Sequence, residues 1–220
     1  MTSVTTLIHD LFPKFEAERI AVFSAKKQTR ERGYLVTAKD MLKEWRDNAK
    51  IATDKGTLIH YEMEKWLLDH DTALLPVYHH ASLLGVSWVE QYLSTLEVTK
   101  VIPEELVYNK ELLIAGQADL VVYHKDGVDV VDWKTNKEIL LKSKYYKKGI
   151  KPYTEHLSDC NFNHYSIQLS IYAYFLELKG NKINKLILPH LTEEGVVEYE
   201  IPYLRDVVIE ILKEFKSAAK

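Results

Sequence analysis

A single cysteine, Cys160, is all the thiol this chain holds, which excludes an internal disulfide framework and any iron–sulfur cluster built from several of its own thiolates. A reducing, cytoplasmic setting is the expectation. No apolar run approaches the ~18 residues of a membrane span. The opening MTSVTTLIHDLFPKFEAERI carries Asp10, Glu16 and Glu18 where a signal peptide would have a basic start and an apolar core. The chain is therefore expected to be soluble, not secreted, and without a membrane partner. Net charge is also scarce: the charged 28% nearly cancels to a formal −3 with pI near 6.3, so the whole-molecule field would not draw in a phosphate backbone. Any nucleic-acid binding has to come from a local patch. There is no internal repeat, low-complexity tract or shift in composition to mark a linker. With 220 residues and 46% of them hydrophobic, one domain over 1–220 is expected, with a mainly helical part over 1–98 and a sheet core over 99–220.

The pattern of apolar residues supplies the elements. TAKDMLKEW opens a helix at Thr37, with an acid three residues later as a relative of the capping box. A second helix from about Thr53 to Asp69 carries Ile59, Met63, Trp66 and Leu67 as its buried stripe, with His60 and Glu64 one turn apart on a neighbouring face. A third helix covers about Leu84–Leu96. Short runs rich in Val, Ile and Tyr then predict strands at Val101–Tyr108, Leu112–His124 and Val128–Trp133. The last two are joined by Lys125-Asp126-Gly127, a favoured hairpin turn. Lys142–Asn163 has no period and reads as a long loop. A helix over Tyr165–Leu178, strands near Lys185–His190 and Val196–Ile201, and an amphipathic helix over Leu204–Lys216 complete the chain. The fold class is α/β, with a mixed, largely antiparallel sheet flanked by helices.

The stretch AGQADLVVYHKDGVDVVDWKTNK places polar groups where strands would otherwise ask for core. Asp119 interrupts an apolar strand, and Asp132 and Lys134 share one face of the next by the period of two. The hairpin brings that strand back beside Asp119, so two carboxylates and an ammonium converge. Converging carboxylates are costly unless a cation neutralises them, and hard oxygen ligands suit one or two Mg²⁺ or Mn²⁺ ions. Such an ion activates water and stabilises charge on a phosphoryl group, with Lys134 adding positive charge. A DxK triplet alone commonly marks a solvated strand end. Asp119 after a Gly-x-x step, the tight hairpin and a second acid on an apolar strand favour the site.

Together with GTLIH upstream and QLSIY downstream, the D…DxK spacing resembles the RecB-type branch of the PD-(D/E)XK nuclease superfamily, over roughly Gly56 to Leu178. The resemblance implies a restriction-endonuclease-like core. It also implies metal ligation by His60, Asp119, Asp132 and the carbonyl of Trp133, with Gln168 and Tyr172 lining the site and holding DNA or Lys134. IPEELVY and HLSDCNFNHYSIQLSIY are similar to motifs of viral and organellar exonucleases of single-stranded DNA, which would make Glu104 the matching acid on the first strand, with Glu105 facing the other way. The four cluster-binding cysteines of some relatives are absent. Without that context His60 would be an ordinary helix histidine, Glu64 a partner for a lysine, and Gln168 with Tyr172 the polar edge of a helix whose core face is Ile167, Ile171 and Phe175.

The loop KSKYYKKGIKPY holds Lys142, Lys144, Lys147, Lys148 and Lys151 with no acid, interleaved with Tyr145, Tyr146 and Tyr153. Basic groups on phosphates and rings under unpaired bases are what single-strand binding uses, although a solvated lysine-rich loop has the same composition. The sequence thus predicts a metal-dependent deoxyribonuclease, an exonuclease acting from a DNA end on single strands or flaps, alongside replication, repair or recombination proteins. An endonuclease, nickase or resolvase of the same fold, and a silent DNA-binding module, are the alternatives.

Overall fold

The computed structural model describes residues 1–69 and 79–218. Two compact units are present where the sequence suggests one domain: Lys14–Leu58, and Met1–Pro13 together with Ile59–Lys220.

The larger unit is built on a six-stranded sheet. Its strands are β1 (Thr2–Ser3), β2 (Val98–Asn109), β3 (Ile114–His124), β4 (Gly127–Val131), β5 (Ile183–Leu191) and β6 (Val196–Glu200). β2 runs antiparallel along one edge of β3, and the other edge is shared by β1, parallel at its start, and β4, antiparallel at its end. β5 lies parallel to β4, and β6 antiparallel to β5. The mixed, largely antiparallel α/β architecture is thus as the strand patterns predict, and the Lys125–Gly127 turn closes the β3–β4 hairpin with Gly127 at φ 149°.

Helices cover both faces. On one, α1 (Val4–His9), α5 (Asn161–Glu177) and α6 (Arg205–Ala218) enclose Val121, Val130, Leu186 and Leu188. On the other, Ile59, Met63 and Leu67 of α3 (Ala38–Asp69) join Ala81 and Val89 of α4 (His80–Ser94) over Leu120, Val122, Val131 and Trp133. α5 is buried on nearly every side, so Gln168 and Tyr172 lie within the molecule and not along a solvent-facing edge. Buried Glu62 caps α4 by accepting the His79 backbone N–H at 2.9 Å and the Ser82 hydroxyl. Asp129, on β4, is also fully buried. It accepts from Asn184 at 2.8 Å and from the Tyr92 hydroxyl, which fixes the turn end of the hairpin.

The smaller unit is a pair of helical segments, α2 (Ala17–Arg32) and the first part of α3, around Ala21, Ala25, Val36 and Met41, with Leu42 and Trp45 packed alongside. α2 stops at Gly33, whose φ of 73° supplies the left-handed C-cap. α3 starts on the expected cap: the Thr37 N–H donates to Asp40 at 2.8 Å, and the Asp40 N–H donates to Thr37 Oγ1 at 3.2 Å. The two helices predicted from Thr37 and Thr53 are one, 32 residues long. Among the described residues no helix is long and apolar enough to cross a membrane.

The segment read as a long loop has no helix before Asn161 but is internally bonded. Gly149 N–H donates to Leu157 O at 3.0 Å, Asp159 N–H to Lys147 O at 2.8 Å, and Ile150 N–H to Leu11 O at 2.9 Å. A β-carbon on Gly149 would sit 2.3 Å from Thr154 Oγ1 and 2.4 Å from its carbonyl oxygen. Gly149→Ala should therefore lower stability by roughly 1–3 kcal/mol in urea unfolding. An unchanged midpoint would show that the loop is not closed in this way.

Candidate metal centre

Strand register sets three carboxylates in a row. Pairing of Pro103 with Leu120 and of Glu105 with Ala118 puts Glu104 across from Asp119, and pairing of Leu120 with Val131 puts Asp132 beside Asp119 on the far side. Glu104 holds a left-handed backbone, φ 50°, and Gln117 Nε2 donates to its carbonyl at 3.2 Å. A non-glycine residue in that conformation costs energy, which the surrounding strands have to offset.

His60 enters from α3, where its neighbours Ile59 and Met63 are fully buried and anchor the helix. Its Nδ1 lies 3.1 Å from Asp119 Oδ1, while Asp119 Oδ2 accepts the Trp133 backbone N–H at 2.8 Å. The Trp133 ring is fully buried, 6.0 Å from the imidazole between centroids, and its indole N–H has no partner among the described residues. One ligand atom each from His60, Glu104 and Asp119 lie within 4.8 Å of one another. An imidazole nitrogen with two carboxylates is a donor set that fits a divalent cation, and the three form a possible metal-binding triad.

Asp132 faces a different set. Lys134 Nζ donates to its Oδ2, and Gln168 Nε2 stands 3.5 Å from Oδ1 while donating to the Tyr172 hydroxyl at 2.8 Å. Gly116 makes room for this arrangement, since a β-carbon there would meet Tyr172 Cε1 at 2.4 Å. The Lys134 ammonium also sits 4.8 Å above the Tyr165 ring, whose hydroxyl donates to Asn136 Oδ1 at 2.6 Å. Tyr165 was not legible as a site residue, because three positions before Gln168 on an apolar helix it reads as core. Asn136, two residues past Lys134, carried no signal either.

The charges act on one another. Burial, reinforced by Asp119 and Glu64, pushes the Glu104 carboxyl up to about 7. Burial likewise raises Asp132 to about 6, against the pull of Lys134. Burial alone would lower His60 and Lys134, yet the facing carboxylates win and both are raised, His60 chiefly by Asp119 and Lys134 chiefly by Asp132. Glu64, expected to partner a lysine, thus acts on Glu104 through its charge.

The structure therefore brings together His60, Glu104, Asp119, Asp132, Lys134, Gln168 and Tyr172. Trp133 joins them through its N–H. The lysine-rich loop is less free than its sequence suggests: Lys144 pairs with Glu138 at 2.7 Å and Lys151 with Glu214 at 2.5 Å. Lys147, Lys148 and the exposed Tyr145 ring make no such pairs among the described residues.

No protein-family model and no curated protein matches this chain. Among solved structures it is similar to one titled "Crystal structure of SSO0001", at 16% identity and a TM-score of 0.38, with 99% of this chain and 76% of that one covered. Likeness at that level assigns no function.

Raised carboxyls predict a pH dependence of definite sign. Glu104 titrates near 7 in the fold against an ordinary 4.5, so the folded metal-free protein holds that proton more tightly than the unfolded chain. Its contribution to stability is present below pH 4.5 and is lost as pH rises to about 7. Glu104→Gln should flatten this loss in metal-free thermal melts and weaken Mn²⁺ binding in calorimetry. A variant with wild-type pH dependence and Mn²⁺ affinity would place Glu104 outside the centre.

Proposed function

We propose that this chain is a metal-dependent deoxyribonuclease of the RecB-like PD-(D/E)XK type, hydrolysing phosphodiester bonds from a DNA end. The observation that carries the reading is the convergence of His60 from α3 and Glu104 from β2 on Asp119 of β3, beside an Asp132–Lys134 pair that the tight β3–β4 hairpin brings back to it. Mg²⁺ or Mn²⁺ is the cofactor this donor set suits; it would supply positive charge at the phosphate and acidify a water.

The chain's own residues have distinct work around it. His60, Glu104 and Asp119 hold the cation, with Asp119 fixed by the Trp133 N–H. Asp132, nearly fully buried, keeps the Lys134 ammonium at the site and protonated, and Lys134 offsets the charge that develops on the phosphoryl oxygens. Gln168 and Tyr172 orient Asp132 from α5. The single buried thiol, Cys160, is compatible with a reducing compartment such as the cytoplasm.

Lys134→Ala should retain Mn²⁺ binding yet cleave end-labelled linear DNA on the order of 10²-fold more slowly. Normal turnover in that variant removes Lys134 from catalysis. Cutting of circular DNA by the wild type would make the enzyme an endonuclease, and DNA retention without cleavage in Mg²⁺ or Mn²⁺ would make it a binding module.

A further inference from the structure

Charge is unevenly divided between the two units. Lys14–Leu58 holds eleven basic and seven acidic residues, a formal +4, while the rest of the chain holds 18 basic and 25 acidic, a formal −7. The positive charge is also ordered along both helical segments of the smaller unit. On α3, Lys39, Lys43, Arg46 and Lys50 stand at i, i+4, i+7 and i+11, which is one helix face, and all four are exposed. On α2 the same spacing gives Arg19, Phe23, Lys26 and Arg30, again all exposed. Asp40, Asp47 and Asp54 border the α3 series. Arg19 pairs with Glu16 at 2.8 Å. Lys26, Arg30, Lys39, Lys43, Arg46 and Lys50 form no ion pair among the described residues.

We infer that the Lys14–Leu58 unit is the polyanion-binding surface of this protein, and that its ligand is the phosphate backbone of single-stranded DNA. The inference rests on the proposed nuclease function for the choice of DNA as the polyanion. The cations of α3 stand one turn from one another and so repel, and although Asp40, Asp47 and Asp54 border the row at the same spacing, none of them closes an ion pair with it. An anion laid along the row would relieve that repulsion. The preference for single strands comes from Phe23, 63% exposed amid Arg19, Lys26 and Arg30. An exposed ring within a row of cations is a stacking platform for an unpaired base, which a duplex does not offer. The larger unit has less to give: its net charge is negative, and two of the five lysines in its loop are neutralised by Glu138 and Glu214.

The test uses the full chain and fluorescein-labelled oligothymidine, followed by anisotropy across a salt series in EDTA, so that neither metal nor cleavage enters. Replacing Lys39, Lys43, Arg46 and Lys50 together by Gln should weaken binding at least about tenfold and reduce the salt slope by about 0.7 for each phosphate that is no longer neutralised. Lys26→Gln with Arg30→Gln should do the same to a smaller degree. Phe23→Ala should lower single-strand affinity about fivefold or more while leaving duplex affinity alone. Wild-type affinity and slope in the α3 variant would overturn the inference. So would a loss confined to Lys147→Gln with Lys148→Gln, or binding by the wild type to anionic phospholipid vesicles but not to the oligonucleotide. Oligonucleotide binding that depends on these residues, in a protein that cuts nothing in Mn²⁺, would sink the nuclease reading and leave this one standing.

Discussion

Two acids, Asp119 on β3 and Asp132 just past the end of β4, set the terms for everything around them. Each is almost wholly removed from water, and two buried carboxylates this close are tolerated only if their charge is met. The fold meets it piecemeal. A helix contributes the His60 imidazole, the segment leaving β4 turns Lys134 back onto Asp132, and the backbone of Trp133 gives its N–H to Asp119. Glu104 then adds a third carboxyl, and the cluster answers by holding protons where a carboxyl would ordinarily have lost them. The metal-free centre is thus a set of acids in excess over its bases, and the excess is what a dication would remove.

The parts of this arrangement that the sequence made legible are those in which a local rule and the tertiary structure agree. The β3–β4 hairpin follows from Asp126-Gly127 between two apolar runs, and with it the juxtaposition of Asp119 and Asp132. The Thr37–Asp40 cap was equally plain. Where the rules and the structure part, the reasons are physical. α2 buries only Ala21 and Ala25, side chains too small to write a hydrophobic stripe. The middle of α3 buries no apolar stripe and so shows no period, yet it contains the good helix former Ala at 49 and 52, and Gly56 within a helix costs only about 1 kcal/mol relative to Ala. The helix therefore runs through the expected gap. Glu104 was reachable only by analogy, because its left-handed backbone is a property of the folded strand and leaves no mark in IPEELVY.

Two of the loop lysines have partners that the sequence does not display. A run such as KSKYYKKGIKPY draws attention because its charges are contiguous, but contiguity in sequence says nothing of acids brought in from elsewhere, and Glu138 and Glu214 claim two of them. Cations spaced by three and four are less conspicuous in the written sequence and more effective in space, since a helix gathers them on one side. The near-neutral total charge conceals a division that appears only when the chain is split by its packing.

The first thirteen residues belong to the sheet unit, and their partners come late in the chain. Thr2 pairs with Ile114, Leu11 accepts from Ile150, and Val4, Leu7, Ile8, Leu11 and Phe12 pack in a cluster that includes Ile171 and Phe175. Contacts so distant along the chain close slowly, because the intervening loop must be ordered before they form. A ribosome making this chain therefore releases that apolar segment some 160 residues ahead of its shelter. Until α5 has been synthesised it has to be kept from other surfaces, so a stretch made well before its partners must wait for them to find its place.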